Sequence, residues 1–577
     1  MPDAPTERFP RPAGLRMVAA YRTEWLPKDV LAGLVLTTLL VPQGMAYAEL
    51  AGLPAITGLY TSILCLLGYA VFGPSRILVL GPDSSLGPMI AATIAPLVAA
   101  DGDPARAVAL ASMLALIVGV VMIAGGFAKL GFVADLLSRP TMIGYMNGLA
   151  ITILVGQLPK LFGFSTDADG FVDELRAFVD GVRDGETVSA ALAVGVLALA
   201  VIAVLRRVLP RIPSVLIAVV ASIAVAAAFD LDQHGVKLVG TLPEGFPPLT
   251  FPDVHRSDLP TLIGGALGIA LVSLADTIAT SSAFAGRSGE EVDGNREMIG
   301  IGAANLGAGL FQGFPVSTSG SRTAVAEQSG AKTQVAGLVG AITIAAMLLF
   351  VPGLFRDLPQ PTLAAVVIAA SLSLADIPGT VRLWKQRRSE CALSIAAFLG
   401  VVFLGVLPGI AIAVALSVMN MFRRSWLPYH AVLGRVPDLP GYHDVSSYPD
   451  AEVLPGLVIF RFDAPLFFAN TRTFREQILR LATSEPAPVW ILVAAEPITD
   501  VDTTAADMLD DLDESINARG ISLVFAEMKD PVRAKIERYE LTRTIDPGHF
   551  YPTLGSAVDA YQEQTGARWA PRDSRFD

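Results

Sequence analysis

The stretch GFPVSTSGSRTAVAEQSG, residues 313–330, interrupts a chain that is almost wholly apolar on either side of it. Pro315 disfavours helix for Phe314. If the residues after it are extended, the hydroxyls of Ser317, Ser319 and Ser321 share one face. A helix can then begin near Ser321 with one of these hydroxyls as its N-cap. Such a start carries unpaired amides and roughly half a positive charge. With Arg322 beside it, it favours an anion. An arginine at membrane depth costs at least ~2.5 kcal/mol on insertion scales, so it needs a partner or a function.

The flanks supply that depth. The 577-residue chain is 53% hydrophobic and 17% charged, whereas soluble chains carry roughly a quarter charged residues. The runs AALAVGVLALAVIAVL (190–205) and GLVGAITIAAMLLFV (337–351) have no polar face and are of the order needed to cross about 30 Å of hydrocarbon at 1.5 Å per residue. The beginning, MPDAPTERFPRPAGLRM (1–17), has no apolar stretch followed by a cleavage site, so the first span is expected to be retained.

About fourteen hydrophobic passages fall between residues 30 and 422, several broken or too short to cross alone. An even count gathers Arg206, Arg207, Arg211, Arg296, Arg387 and Arg423 on the side of the basic N-terminus, which carries Arg8, Arg11, Arg22 and Lys28. The positive-inside rule makes that side the cytosol and puts both ends there. The acidic segment 165–187, with Asp167, Asp169, Asp173 and Glu174, then lies outside. Residues 1–20 read as an N-terminal cytosolic segment and 21–425 as a transmembrane domain. After Trp426 the pattern changes. GLVIFRFDAPLFFAN, VWILVAAEPI and ISLVFAEM read as strands alternating with helical TRTFREQILRLATS and TAADMLDDLDESINARG, which makes 440–566 a cytosolic α/β domain. The proline- and charge-rich residues 1–18 and the tail after 566 read as disordered.

Other classes are excluded by what the chain lacks. Cys65 and Cys391 sit in apolar runs as packed thiols. His234, His255, His430, His443 and His549 form no metal motif, and no nucleophile, base and orienting group recur at usable spacing. No enzyme and no cofactor are expected. A net charge of -12 argues against a nucleic-acid partner.

The first half holds a matching interruption, LVLGPDSSLGPMIAATIAPLV (78–98). It lies in the third passage, and 313–330 leads into the tenth, which gives two groups of seven. A repeat of seven is inverted in the membrane, so the two broken helices enter from opposite faces and meet near the midplane. The eighth passage, IALVSLADTIATSSAFAG (269–286), places Asp276 and Thr280 on one helical face. A carboxylate there can coordinate Na+, carry a proton or pair with Arg322.

LVPQGMAYAELAGLPAITGLYTSI (40–63), GYAVFGPSRILVLGPDSS (68–85) and NREMIGIGAANLGAGLFQGFPVSTSGSRTAV (295–325) together resemble the sulfate permease (SulP) family of anion transporters. VDTTAADML (501–509) resembles a STAS domain. The resemblance implies a polytopic α-helical membrane protein of about 14 spans, a 7+7 inverted repeat with core and gate domains, followed by a cytosolic α/β STAS domain. Transport would be elevator-like. Backbone amides around Ser319, Gly320 and Ser321 and around Asp83, Ser84 and Ser85 would hold the anion, with Arg322 beside it and Gln43 and Tyr47 lining it. Asp276 and Thr280 match positions that bind Na+ in sodium-coupled relatives. Asp83 departs from the aromatic residue of some animal members and points to proton coupling. Thr503 and Thr504 read as N-cap residues of the helix that follows, and Thr504 also matches a phosphorylatable position, which suggests regulation. The resemblance also implies a homodimer in a bacterial inner membrane, with a cytosolic regulator at the STAS domain. Sulfate, bicarbonate, chloride and C4-dicarboxylates are all family substrates. A nucleobase carrier of the same fold and a non-transporting anion sensor are the competing readings.

Overall fold

The computed structural model describes residues 12–571 apart from 20, 99–101, 167, 169, 210, 211, 244 and 289–291. Arg8, Arg11, Asp167, Asp169 and Arg211, used above in reading the charge pattern, lie outside the described residues, as does the end of the tail. The chain divides into two compact units, Met1–Val418 and Met419–Asp577.

The first unit is built from α1 (Ala13–Ala19), α2 (Leu26–Leu50), α3 (Ala55–Phe72), β1 (Leu80–Gly81), α4 (Gly87–Ile94), α5 (Pro104–Phe127) and α6 (Arg139–Phe162). Then follow α7 (Phe171–Arg183), α8 (Ser189–Val208), α9 (Ser214–Ala228), α10 (Leu259–Ser288), α11 (Gly294–Leu310), β2 (Ser317–Thr318) and α12 (Gly320–Gln328). The last are α13 (Val335–Phe350), α14 (Gln360–Leu374), α15 (Ile377–Gln386), α16 (Arg388–Leu404) and α17 (Val406–Trp426). Among the described residues, 8 helices are long and apolar enough to cross a membrane, whereas α4, α9 and α13 are shorter. Every hydrophobic passage of the sequence reading falls on a helix.

Two segments of the first unit differ from the sequence reading: 165–187, expected to be an external loop, and the N-terminal stretch. The acidic stretch 165–187 contains α7, whose Phe178 packs edge-on against Phe162 at 5.0 Å and parallel to Phe164 at 6.0 Å. Its net acidity hides an amphipathic period. Within the N-terminal stretch read as disordered, Ala13–Ala19 forms α1, which packs against α3.

The helices sort into two packing groups. α2, α3 and α5 pack with α10, α11 and α13, while α6 and α8 pack with α14 and α16, and α9 with α8. The groups meet where α2 lies against α14 and α9. Between lipid-embedded helices, close approach depends on small residues rather than on a hydrophobic effect. α2 and α3 cross so tightly at Gly44 and Gly58 that a Cβ on Gly58 would run into the Gly44 carbonyl.

The second unit is a sheet of β3 (His430–Arg435), β4 (Tyr442–Asp444), β5 (Glu452–Val453), β6 (Leu457–Phe462), β7 (Trp490–Ala494), β8 (Ser522–Ala526), β9 (Phe550–Tyr551) and β10 (Ala570–Pro571). Its helices are α18 (Thr471–Ala482), α19 (Thr503–Asn517), α20 (Asp530–Arg538) and α21 (Leu554–Thr565). The strand order is β10-β5-β3-β6-β7-β8-β9, with β4 on β3. β6 to β9 are parallel and β3 is antiparallel to β6. Strand periodicity sends Phe460, Phe462, Ile491, Val493, Leu523 and Phe525 to the face that packs with Phe474 of α18 and Leu509 of α19. The alternate residues Ile459, Leu492 and Val524 meet Val558 and Tyr561 of α21. β3 begins ahead of the expected boundary at 440, and β10 occupies part of the tail read as disordered.

Candidate functional site

Pro82 and Pro315 each interrupt a hydrophobic passage, and the interruptions lie side by side. β1 pairs antiparallel with β2, Leu80 opposite Thr318 and Gly81 opposite Ser317. The ladder continues through Ser319 N to Val79 O at 3.1 Å. Both broken helices therefore leave one short antiparallel crossing, as an inverted pair requires.

Non-helical backbone at membrane depth must find its partners inside the protein. Before α12 those partners are side chains. Ser112 Oγ donates to Gly313 O at 3.0 Å, and Phe314 N donates to Thr61 Oγ1 at 3.1 Å. Val316 N donates to Asn305 Oδ1 at 3.0 Å, and Ser273 Oγ donates to Val316 O at 3.1 Å. On the first-half side, Val79 N donates to Thr323 Oγ1 at 3.1 Å, while Gln334 Nε2 holds the Ser75 and Leu78 carbonyls at 2.9 Å. Helices α3, α5, α10 and α11 thus clamp the crossing by polar groups on otherwise apolar surfaces.

A cavity of about 1260 Å³ opens beside the crossing. On one side it is lined by Val35, Leu39, Gln43 and Tyr47, four apart on one face of α2, and by Asp83 and Ser84 ahead of α4. Asp276 and Thr280 of α10 and Thr318 to Ser321 at the start of α12 complete that side. The other packing group contributes Met146 of α6, Arg206 of α8, Ser214 and Val215 of α9, and Ala370, Ser373 and Leu374 of α14 to the lining. Gln43, Tyr47, Asp83, Ser84, Asp276, Thr280, Ser319, Gly320 and Ser321, all singled out from sequence, therefore share one space.

Ser85 and Arg322 are not on its wall. Ser85 Oγ lies behind, 2.8 Å from Asp83 Oδ1 and 3.2 Å from Asp276 Oδ2. Arg322 is fully buried, with Nη2 3.7 Å from Asp83 Oδ2 and no hydrogen-bond partner at Nε, Nη1 or Nη2. Gly81 makes room for it: a Cβ there would lie 2.6 Å from Nη1. The guanidinium is sealed from the cavity, beside Gly81 and the Asp83 carboxylate.

α12 begins one residue earlier than expected. Ser319 holds the N-cap position with no side-chain cap bond, and its Oγ lies 3.1 Å from Ser321 Oγ. The first amides of α12 are left without a side-chain cap where the helix meets the cavity. Sequence reasoning missed Asn305, Thr61 and Ser112, polar residues within membrane-embedded helices. It counted Arg206 only as an interfacial charge.

In the second unit Thr504 is exposed in the first turn of α19. The cap expected from Thr503 and Thr504 is Asp502 instead, whose Oδ1 accepts from Ala505 N at 2.8 Å. A carboxylate matches the helix start better than a hydroxyl. Among the described residues no group of His, Cys, Asp and Glu is placed to hold a metal ion.

Two interrupted helices whose starts share a polar cavity inside an apolar bundle define an integral membrane transporter rather than an enzyme. The sulfate permease family matches residues 26–397 and the STAS domain matches residues 448–557. A probable sulfate transporter of Mycobacterium tuberculosis (strain CDC 1551 / Oshkosh) is 41% identical over 96% of this chain and 98% of its own. Probable sulfate transporter 3.3 of Arabidopsis thaliana is 30% identical over 94% of this chain and 89% of its own. In fold, the murine Solute Carrier 26 family member A9 anion transporter in the inward-facing state covers 98% of this chain and 96% of its own at a TM-score of 0.89 and 24% identity. The transmembrane domain of a cyanobacterial bicarbonate transporter covers 68% of this chain and 98% of its own at 0.61 and 23% identity. The chain belongs to the sulfate permease family: it is an anion transporter with a C-terminal STAS domain.

Proposed function

We propose that this protein is a secondary active transporter of sulfate that binds its substrate at the start of α12 and carries it together with a cation. The observation that carries the reading is the pairing of β1 with β2, which brings both interrupted helices to one cavity. Charge supports the coupling. Asp83 and Asp276 line the cavity, Arg206 faces them, and Arg322 lies behind. These charges balance before any substrate arrives, and a bare dianion in a partly dehydrated site is costly. A proton or Na+ entering between Asp83 and Asp276 offsets that cost, with Thr280 as an oxygen donor for Na+.

The two packing groups support alternating access by movement of one against the other, the elevator motion that the family resemblance implies. Arg206 and Arg207 end α8, whose other end follows acidic α7, which supports a cytosolic face at Arg206. On this reading both termini and the STAS domain are cytosolic, in a bacterial inner membrane. Exposed Thr504 is then available to a cytosolic regulator, and a homodimer is the proposed assembly.

The test is uptake of sulfate, bicarbonate, fumarate and chloride into proteoliposomes, each with a Na+ gradient, a proton gradient or neither. Saturable, gradient-dependent sulfate accumulation is expected. Binding without accumulation would make the protein an anion sensor, and competition by uracil or xanthine would make it a nucleobase carrier.

A further inference from the structure

The cavity presents an electrostatic problem that the predicted site residues do not solve. An anion must enter past Asp83 and Asp276, and the arginine expected to receive it is sealed behind the strand pair. A helix start contributes only about half a charge. Among the described residues lining the cavity, Arg206 is the one with a positive side chain. It sits in the last turn of α8 and lines the same cavity as the start of α12. Its Nη1 donates to Ala369 O of α14 at 3.2 Å, which fixes the head of the side chain while leaving other guanidinium donors for a ligand.

We propose that Arg206 is an anion-binding residue of the cavity, contacting the substrate oxyanion from the α8 side while the α12 start contacts it from the other packing group. The assignment rests on the anion-transport reading above. Arg206 belongs to the packing group of α6, α8, α9 and α14, whereas the α12 start belongs to the other. The contact is therefore made in one relative arrangement of the groups and lost in the other, so that the anion is held until the groups move.

A merely structural Arg206 would only tie α8 to α14 at Ala369, and that role must be separated from charge. Cys65 and Cys391 are both buried, so a thiol introduced at 206 can be modified selectively. Purified full-length Arg206→Cys is treated with a methanethiosulfonate carrying an ethylammonium or with one carrying an ethylsulfonate, and equilibrium binding of radiolabelled sulfate is measured before and after. Losing a charge-assisted contact corresponds to a roughly ten- to hundredfold weaker affinity. The unmodified thiol variant should show that loss, the cationic reagent should recover most of it, and the anionic reagent should weaken binding further. Arg206→Lys should retain more affinity than Arg206→Gln, although glutamine keeps an amide donor for Ala369 O. Equal effects of the two reagents, or unchanged affinity in Arg206→Gln, overturn the proposal, as does an absence of saturable sulfate binding in the wild type. Proteoliposome uptake run in parallel reports on transport separately: binding that follows charge at 206 without accumulation sustains Arg206 and removes the transporter reading.

Discussion

Gly81 and Arg322 touch so closely that a Cβ on residue 81 would lie 2.6 Å from Nη1 and 3.2 Å from Cζ of the arginine. Gly81 is fixed by its pairing with Ser317, and the guanidinium is fully buried. Of the two it is the guanidinium, at the end of a flexible side chain with no hydrogen bond holding it, that must shift within its tight surroundings. Gly81→Ala should therefore cost about 1–3 kcal/mol through overpacking and displace the guanidinium from its place behind the site. The expected result is a lower melting temperature in detergent together with a raised KM for sulfate. A variant with wild-type values of both would show that the contact is slack.

Arg322 itself carries the second expectation. A buried cation with no hydrogen-bond partner and a carboxylate at 3.7 Å adds little to stability, since such a pair is usually outdone by apolar packing, and on the proposed function it serves the site through its charge. Arg322→Ala leaves Asp83 facing the cavity without its countercharge. Saturable uptake should be lost while expression and membrane insertion persist. Wild-type uptake by that variant would remove the site assignment.

The parts of the site that were legible in the sequence are those where polarity is out of place in an apolar run. Asp83, Ser84, Ser319 and Asp276 declare themselves because a hydroxyl or carboxylate in the bilayer is costly. The partnership of the two breaks followed from counting passages, and β1–β2 pairing gives it a physical form. The clamping roles of polar residues inside the apolar helices were not legible. Asn305 holds Val316 N, Thr61 holds Phe314 N and Ser112 holds Gly313 O, and sequence spacing does not say which distant backbone group each of them meets. α7 was hidden by its acidity, and the Thr503–Thr504 cap was misplaced because Asp502 just before it competes for the same amides. Arg206 was read as an interfacial charge because it sits at the end of a helix, and only the third dimension turns that end toward the cavity.

The third expectation concerns coupling. Ser85 Oγ lies 2.8 Å from Asp83 Oδ1 and 3.2 Å from Asp276 Oδ2. A hydroxyl has one proton and cannot donate to both carboxylates at full strength. A cation shared between Asp83 and Asp276 relieves the remaining repulsion. Asp276→Asn should then transport sulfate at a rate independent of the Na+ or proton gradient that drives the wild type, most clearly at saturating sulfate. Should the wild type ignore both gradients, Asp276 has no coupling role.

The STAS unit offers a pH test that is independent of transport. Asp513 is buried on α19, with Asn517 Nδ2 donating to its Oδ2 at 2.8 Å. Burial pushes its carboxyl up to about 6, the Asn517 contact opposes the rise, and Asp510 and Glu514 add to it. An unfolded aspartate titrates near 3.8. Between those two values the folded chain keeps a proton that the unfolded chain has released, so the contribution of Asp513 to stability falls as pH climbs through that window and stays low above it. Asp513→Asn removes the ionisation while its side-chain oxygen still accepts from Asn517. Calorimetry of the full-length protein should show the STAS transition of the variant matching wild type near the bottom of the window, then exceeding it at pH 7.5 by on the order of a few degrees. Parallel pH profiles for variant and wild type would mean that the Asp513 carboxylate is solvated in the folded protein.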